Sequence, residues 1–290
     1  MKNRLVKIIC FSVSSLATLL LLAIVAFMVK ESWPVWHSLG VGAIVTGTDW
    51  HPMANPPQLG IGTMILSTLW SALGAIMLAT PLGLGAAIFL AEFAPPWLAR
   101  LIRPVLNILT GIPSVVYGFV GAAVLVKFFE VSFGMPSGES LFCASLILTV
   151  MVLPYIITNS EAALRAVPNQ YRETALAVGV SKQYLTIKVL LPLAKKGLVG
   201  AIILAFGRAA GETMAVLMLA GNTLVLPTSW FSKGEPLSAL IALELGTSVV
   251  GSAHYQALFA AGLVLLVFVT AINILLNVIR NGKRNVVSKR

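Results

Sequence analysis

Six long apolar blocks dominate the sequence, at residues 8–29, 64–90, 105–126, 141–157, 198–220 and 257–279. Each is close to the roughly 20 residues that an α-helix needs to cross a bilayer. The blocks are continuously apolar, without the period-2 alternation of barrel strands, so they predict helices. Residues from the hydrophobic set make up 58% of the chain and charged residues 10%, against roughly 45–50% and about 25% in a soluble domain. A disordered chain, a secreted disulfide scaffold and an ordinary soluble enzyme are thereby excluded. The reading is an all-α membrane protein of six spans, forming one domain over residues 1–290.

The net charge of +10 is explained by topology, not by nucleic acid. Lys2, Arg4 and Lys7 precede the first span, and Arg100 and Arg103 lie between the second and third. Arg165, Arg172, Lys182, Lys188, Lys195 and Lys196 lie between the fourth and fifth. Arg280, Lys283, Arg284, Lys289 and Arg290 follow the sixth. Sixteen basic residues thus share one side, against Lys30, Lys127 and Lys233 on the other. The excess places both termini in the cytoplasm. The first block is too long for a signal-peptide core and reads as a retained anchor. Cys10 and Cys143 fall in apolar blocks and read as buried free thiols. His37, His51 and His254 are too dispersed for a metal site. Trp33, Trp36, Trp50 and Trp230 read as outer-interface anchors. Pro81, Pro113 and Pro154 predict kinked spans.

The one sizeable cytoplasmic connection covers residues 159–196. Tyr171, Ala175 and Val178 form a small apolar face at helical spacing. Pro168 suits a helix start, Gly179 a C-terminal cap, and Ser181 the cap of a second short helix running toward Pro192. This hairpin either packs on its own protein or docks a cytoplasmic partner. Its pattern is Glu173-Thr174-Ala175, then Gly179, then Val189-x-Leu191-Pro192. That resembles the EAA loop of ATP-binding-cassette import permeases, with Thr174 and Val189 as conservative departures. The resemblance implies that Glu173, Thr174, Ala175, Gly179, Leu191 and Pro192 belong to a loop that docks on an ATPase.

Inside the fifth block stand Arg208 and Glu212. Arg208 is ten residues past Leu198, or about 15 Å along a helix and near the midplane of a ~30 Å core. A cation there costs about 2.5–3.5 kcal/mol on insertion scales, so it should face protein or water. Glu212 at i+4 lies on the same helix face and is its expected partner. The pair reads either as a structural ion pair or as an oxyanion site, since a guanidinium offers a planar fork of donors. Ser114 and Tyr117 are candidate hydrogen-bond partners along the same pathway, or helix–helix contacts. Asn107 and Thr110 read the same way. The outer stretch 235–247 predicts a short surface helix, with Glu244 as an outer contact.

The run Gly207-Arg208-Ala209-Ala210-Gly211-Glu212-Thr213-Met214-Ala215-Val216, followed by Ala220-Gly221-Asn222-Thr223, resembles the signature of phosphate-import permeases of the PstC type. Ser32-Trp33-Pro34, Ala91-Glu92-Phe93-Ala94-Pro95, Ile112–Gly118 and Pro154-Tyr155-Ile156 agree with it. What this implies is a type I importer permease of MetI-like fold in a bacterial cytoplasmic membrane. Its partners would be a PstA-like second permease, a dimeric PstB-like ATPase that carries ATP and magnesium, and a PstS-like phosphate-binding protein. The chain itself would hold no cofactor and catalyse nothing. Arg208 and Glu212 would carry phosphate through alternating access. Permeases for sulfate or molybdate are the alternative, and a non-ABC channel or carrier a further one.

Overall fold

The computed structural model describes residues 2–281. The basic tail residues Lys283, Arg284, Lys289 and Arg290 lie outside them. Helix α1 (Lys2–Leu39) leads through α2 (Val41–Thr46) into a two-stranded hairpin, β1 (Trp50–His51) and β2 (Gln58–Leu59). Trp50 pairs with Leu59 in antiparallel register. Then come α3 (Gly62–Ile88), α4 (Pro96–Gly111), α5 (Ser114–Val120), α6 (Lys127–Phe133) and α7 (Leu141–Arg165). After these stand α8 (Gln170–Ala177), α9 (Lys182–Leu185), α10 (Leu191–Ala210), α11 (Met214–Leu219), α12 (Leu237–Glu244) and α13 (Ala253–Asn281). Single π turns at Phe89–Phe93, Gly121–Val126 and Thr186–Leu190 extend α3, join α5 to α6, and join α9 to α10. Among the described residues, six helical segments are long and apolar enough to cross a membrane.

The centre is the α3–α7 pair. Ala72, Ala75 and Ala79 present a small-residue face to α7, which lets the two backbones approach. Gly74 and Gly83 are needed there. A Cβ on Gly74 would stand 2.3 Å from Trp230 and 2.5 Å from Ser145, and one on Gly83 would stand 2.6 Å from Ile156. The approach also brings hydroxyls to helix carbonyls. Ser145 Oγ donates to Ser71 at 3.1 Å and Thr149 Oγ1 to Ala75 at 3.2 Å. α10 and α11 pack on this pair, and α1 lies against α13 at the edge.

Several expectations change. The predicted third span, 105–126, falls on two helices. α4 covers its first part, the chain turns at Ile112–Pro113, and the crossing segment is Ser114–Phe133. Pro113 lacks an N–H and pushes its neighbour out of the helical region, which ends α4. The predicted fifth span, 198–220, is also broken, between Ala210 and Met214. Cys143 is buried, but Cys10 is exposed on α1. Trp33 stands exposed, whereas Trp50 is buried and Trp230 is packed over Gly74 with its Nε1 donating to Ser145. The last two anchor the protein interior, not an interface. Residues Leu237–Leu240 of α12 are buried, so it is a core element and not a surface helix.

The α3–α7 contact predicts that Gly74→Val lowers the thermal midpoint of the purified protein, through an overpacking cost of about 1–3 kcal/mol. Gly85→Ala, where nothing lies within 4 Å, is expected to leave the midpoint unchanged or slightly raised.

Candidate translocation site and coupling surface

The break in the fifth span is the structural basis of the site. α10 ends with Gly211 N–H donating to Gly207 and Glu212 N–H to Ala209. The freed carbonyl of Glu212 accepts from Ser238 Oγ at 2.6 Å. At the far end of α11, the Leu217 carbonyl accepts from Asn222 Nδ2, Leu219 from Ser140 N–H and Ala220 from Gly234 N–H. A helix interrupted inside a membrane has no water to satisfy these groups, so neighbouring elements must do so. Ser238 brings the start of α12 to the break for this reason.

Arg208 and Glu212 are therefore not an i,i+4 pair. α10 has ended before Glu212, and among the described residues no ion pair joins them. The Glu212 carboxylate turns to α11, where Oε1 accepts from Ala215 N–H at 3.5 Å. The Arg208 guanidinium instead lies over the Tyr155 ring, 4.5 Å from its centroid. Tyr155 projects from α7 and was legible in the sequence only as the end of the fourth span. Arg208 is exposed on the surface of the chain, and Tyr155 is half-buried. The cation thus sits on a face that this chain does not cover, held from one side by an aromatic ring.

Tyr117 lies within electrostatic reach of both Arg208 and Tyr155. Its hydroxyl donates to the Leu109 carbonyl at 2.9 Å, satisfying the end of α4. The one hydroxyl proton is committed there, so in this arrangement Tyr117 caps a broken helix and has no donor left for an anion. Ser114 opens α5, half-buried, and its hydroxyl makes no hydrogen bond among the described residues. Thr110 Oγ1 donates to the Asn107 carbonyl at 2.7 Å.

The connection between the fourth and fifth spans folds as the sequence indicates. Gly179 has φ +75°. Its N–H donates to Leu176 while Val180 N–H reaches back to Ala175, the paired bonds of a glycine helix stop. Ser181 accepts from Tyr184 N–H and starts α9. Pro192 stands in the first turn of α10, beside Leu191. Between α8 and α9 lies a groove of about 430 Å³, lined by Tyr171, Thr174, Ala175, Val178, Tyr184 and Val189 among others. Glu173 and Thr174 are exposed, as are Leu176 and Val178 at 72% and 74%. The hairpin thus leaves apolar side chains of an otherwise polar loop open to solvent.

Sequence reasoning missed what ties this loop to the spans. Arg172 on α8 pairs with Glu92 in the π turn at the end of α3, Nη2 to Oε1 at 2.7 Å, and also donates to the Leu164 and Val167 carbonyls. Glu92 is buried. A second buried carboxylate, Glu161 on α7, takes Arg103 of α4 at 2.7 Å and Arg165 at 2.8 Å. The available signal was the scarcity of acidic residues, ten in the chain, with Glu92 and Glu161 at the ends of apolar blocks. On the opposite side, Glu244 is not a free outer contact. It accepts from Trp50 Nε1 at 3.0 Å and meets His254 Nε2 at 2.7 Å.

Residues 79–285 match the family described as binding-protein-dependent transport system inner membrane component. The chain belongs to this family. It is a multi-pass membrane permease subunit. The probable ABC transporter permease protein YqgH of Bacillus subtilis is 39% identical over 77% of this chain and 72% of its own length. The phosphate transport system permease protein PstC of Haemophilus influenzae is 35% identical over 90% and 87%. A probable phosphate transport system permease protein PstC of Methanocaldococcus jannaschii is 31% identical over 93% and 90%. Among solved structures, a chain of the inward-facing MetNI methionine ABC transporter aligns with TM-score 0.57 and 21% identity. That alignment covers 80% of this chain and 100% of that one. The likeness establishes the MetI-like permease fold.

Two outcomes test this geometry. Arg172→Ala leaves the Glu92 carboxylate buried and unpaired, a loss of about 3 kcal/mol or more, and Glu92→Gln with Arg172→Gln is expected to recover part of it in thermal melts. At the opposite end from the α8–α9 hairpin, burial and the nearby Glu244 charge push the Glu235 carboxyl up to about 7 from its ordinary 4.5. The folded state therefore favours the protonated form. Stability from this group is fully present below about pH 4.5 and lost as pH rises through 7. Glu235→Gln is expected to flatten that slope and raise the thermal midpoint at pH 8.

Proposed function

We propose that this chain is the membrane-spanning subunit of an ATP-driven importer of inorganic phosphate. The relatives named as phosphate transport permeases align over most of their own lengths and of this chain, which supports phosphate as the substrate. One observation carries the assignment of the site. A guanidinium stands exposed on the open face of the broken fifth span, stacked on Tyr155 and with no carboxylate partner among the described residues. A cation in that position is held ready for an anion. Tyr155 shields one face of the guanidinium plane, while the N–H donors at its edge stay free for two phosphate oxygens.

A second, PstA-like permease completes the pathway by covering the Arg208 face. A dimeric PstB-like ATPase, holding ATP and magnesium, receives the exposed α8–α9 hairpin through Glu173, Thr174, Ala175 and the groove above Val189. A PstS-like protein delivers phosphate from outside. Both termini lie in the cytoplasm in this reading, which the excess of basic residues on that side supports. Motion of the ATPase passes from α8 through the Arg172–Glu92 pair to the end of α3, and through α9 and its π turn to α10. The subunits rock, and the Arg208 face opens alternately to either side. The Glu212 carboxylate, four residues from Arg208 in sequence, weakens the hold on a divalent anion enough for release.

The test is ATP-dependent uptake of labelled phosphate by vesicles carrying the assembled transporter, with sulfate and molybdate as competitors. Phosphate uptake that resists both competitors is expected, and uptake of either competitor instead overturns the substrate. Arg208→Gln is expected to lower uptake about tenfold or more while assembly persists. Tyr155→Phe retains transport, and Tyr155→Leu loses about fivefold. Full uptake in Arg208→Gln would make the cation structural and move the pathway elsewhere.

A further inference from the structure

Three arginines at the cytoplasmic end of α4 and α7 take no part in holding the transported anion. Arg100, Arg103 and Arg165 rim a groove of about 350 Å³ whose floor is Leu90, Ala91 and Ala99. An adjoining pocket of about 280 Å³ shares Arg103 and Arg165 and adds Thr158 and Glu161. Glu161 is the one acidic residue in either lining. Arg103 and Arg165 both bond the same oxygen of that carboxylate, at 2.7 and 2.8 Å. Arg165 Nη2 also donates to the Leu90 carbonyl. Arg100 donates through Nε to the Pro96 carbonyl and has no carboxylate partner among the described residues. Two of the three cations thus share one carboxylate and Arg100 has none, which leaves a net positive charge around the concavity.

The position of the groove adds to this. Trp97, Leu101 and Ile108 of α4 are each more than 60% exposed, and their spacing puts them along one helical face. A helix with an outward apolar stripe and flanking arginines lies at the membrane interface, where phosphate headgroups are. Guanidinium forks match phosphate oxygens in geometry as well as charge.

We propose that the Arg100–Arg103–Arg165 groove is a cytoplasmic phosphate-group site, separate from the Arg208 face. Its ligand is a phosphate carried either by an acidic phospholipid headgroup or by free inorganic phosphate on the inner side. The site would make the permease sensitive to the phosphate chemistry of the compartment that it fills.

The experiment uses the assembled transporter and reads binding, so its failure is distinct from failure of the transport reading. In one arm, complexes from nanodiscs of mixed phosphatidylglycerol and phosphatidylcholine are examined by native mass spectrometry. Arg100→Gln is expected to retain roughly fivefold less phosphatidylglycerol than the unaltered protein, as follows from about 1 kcal/mol per interfacial basic residue. Arg100→Lys is expected to restore most of it. In the other arm, nanodiscs of phosphatidylcholine alone are titrated with inorganic phosphate in an Arg208→Gln background. A thermal shift that Arg100→Gln abolishes identifies free phosphate as the ligand. A loss in the first arm alone identifies the lipid, and a loss in the second alone the free anion. Arg100 makes no ion pair, so folding of Arg100→Gln is secure, and identical behaviour of the variant in both arms overturns the proposal.

Discussion

The close approach of α3 and α7 is the contact on which the other elements depend. In a bilayer, burying apolar side chains gives little drive for helices to associate, because lipid tails are equally apolar. Association rests instead on packing and on hydrogen bonds between helices. Here alanines and glycines set the distance, and Ser145 and Thr149 donate across it. α7 then presents Tyr155 on one side and Glu161 near its C-terminal end. The first holds Arg208; the second holds α4 through Arg103. α3 ends in the π turn that carries Glu92, the anchor of α8. Displacing either helix would misplace both the Arg208 guanidinium and the α8–α9 hairpin.

Around that pair, the chain uses interrupted helices where a soluble protein would use loops. Each interruption frees backbone carbonyls, and each is answered by a named group: Ser238 and Asn222 around α11, Tyr117 at the end of α4. The polar residues of the spans thus divide in two. Most satisfy their own protein, and Arg208 does not.

Local features were legible in the sequence and relational ones were not. Gly179 and Ser181 state their turn and cap in their own chemistry, because the bonds they make reach only three to five residues. The spans were legible because hydropathy sums over some twenty residues. The break after Ala210 was hidden, since Gly207, Ala209, Ala210 and Gly211 are small residues compatible with a continuous helix. The spacing of Arg208 and Glu212 suggested an ion pair for the same reason. What decided otherwise was Ser238, twenty-six positions away. Tyr155 stood out only as part of the motif that ends the fourth span, because a ring contact with another helix leaves no periodic trace. Arg103, Arg165 and Arg172 were counted as topological charges, and their carboxylates became visible only once α3, α4, α7 and α8 were placed together.

The π turns have a mechanical meaning beyond their geometry. A π turn holds one residue more than the α-helical turn it replaces, so the helix on either side keeps its phase while the extra residue is stored between them. Two of the three, at Phe89–Phe93 and Thr186–Leu190, lie where the α8–α9 hairpin meets the spans. Each is a residue of slack between a span and the hairpin. A displacement of the hairpin would reach these turns before it reached the helices beyond them.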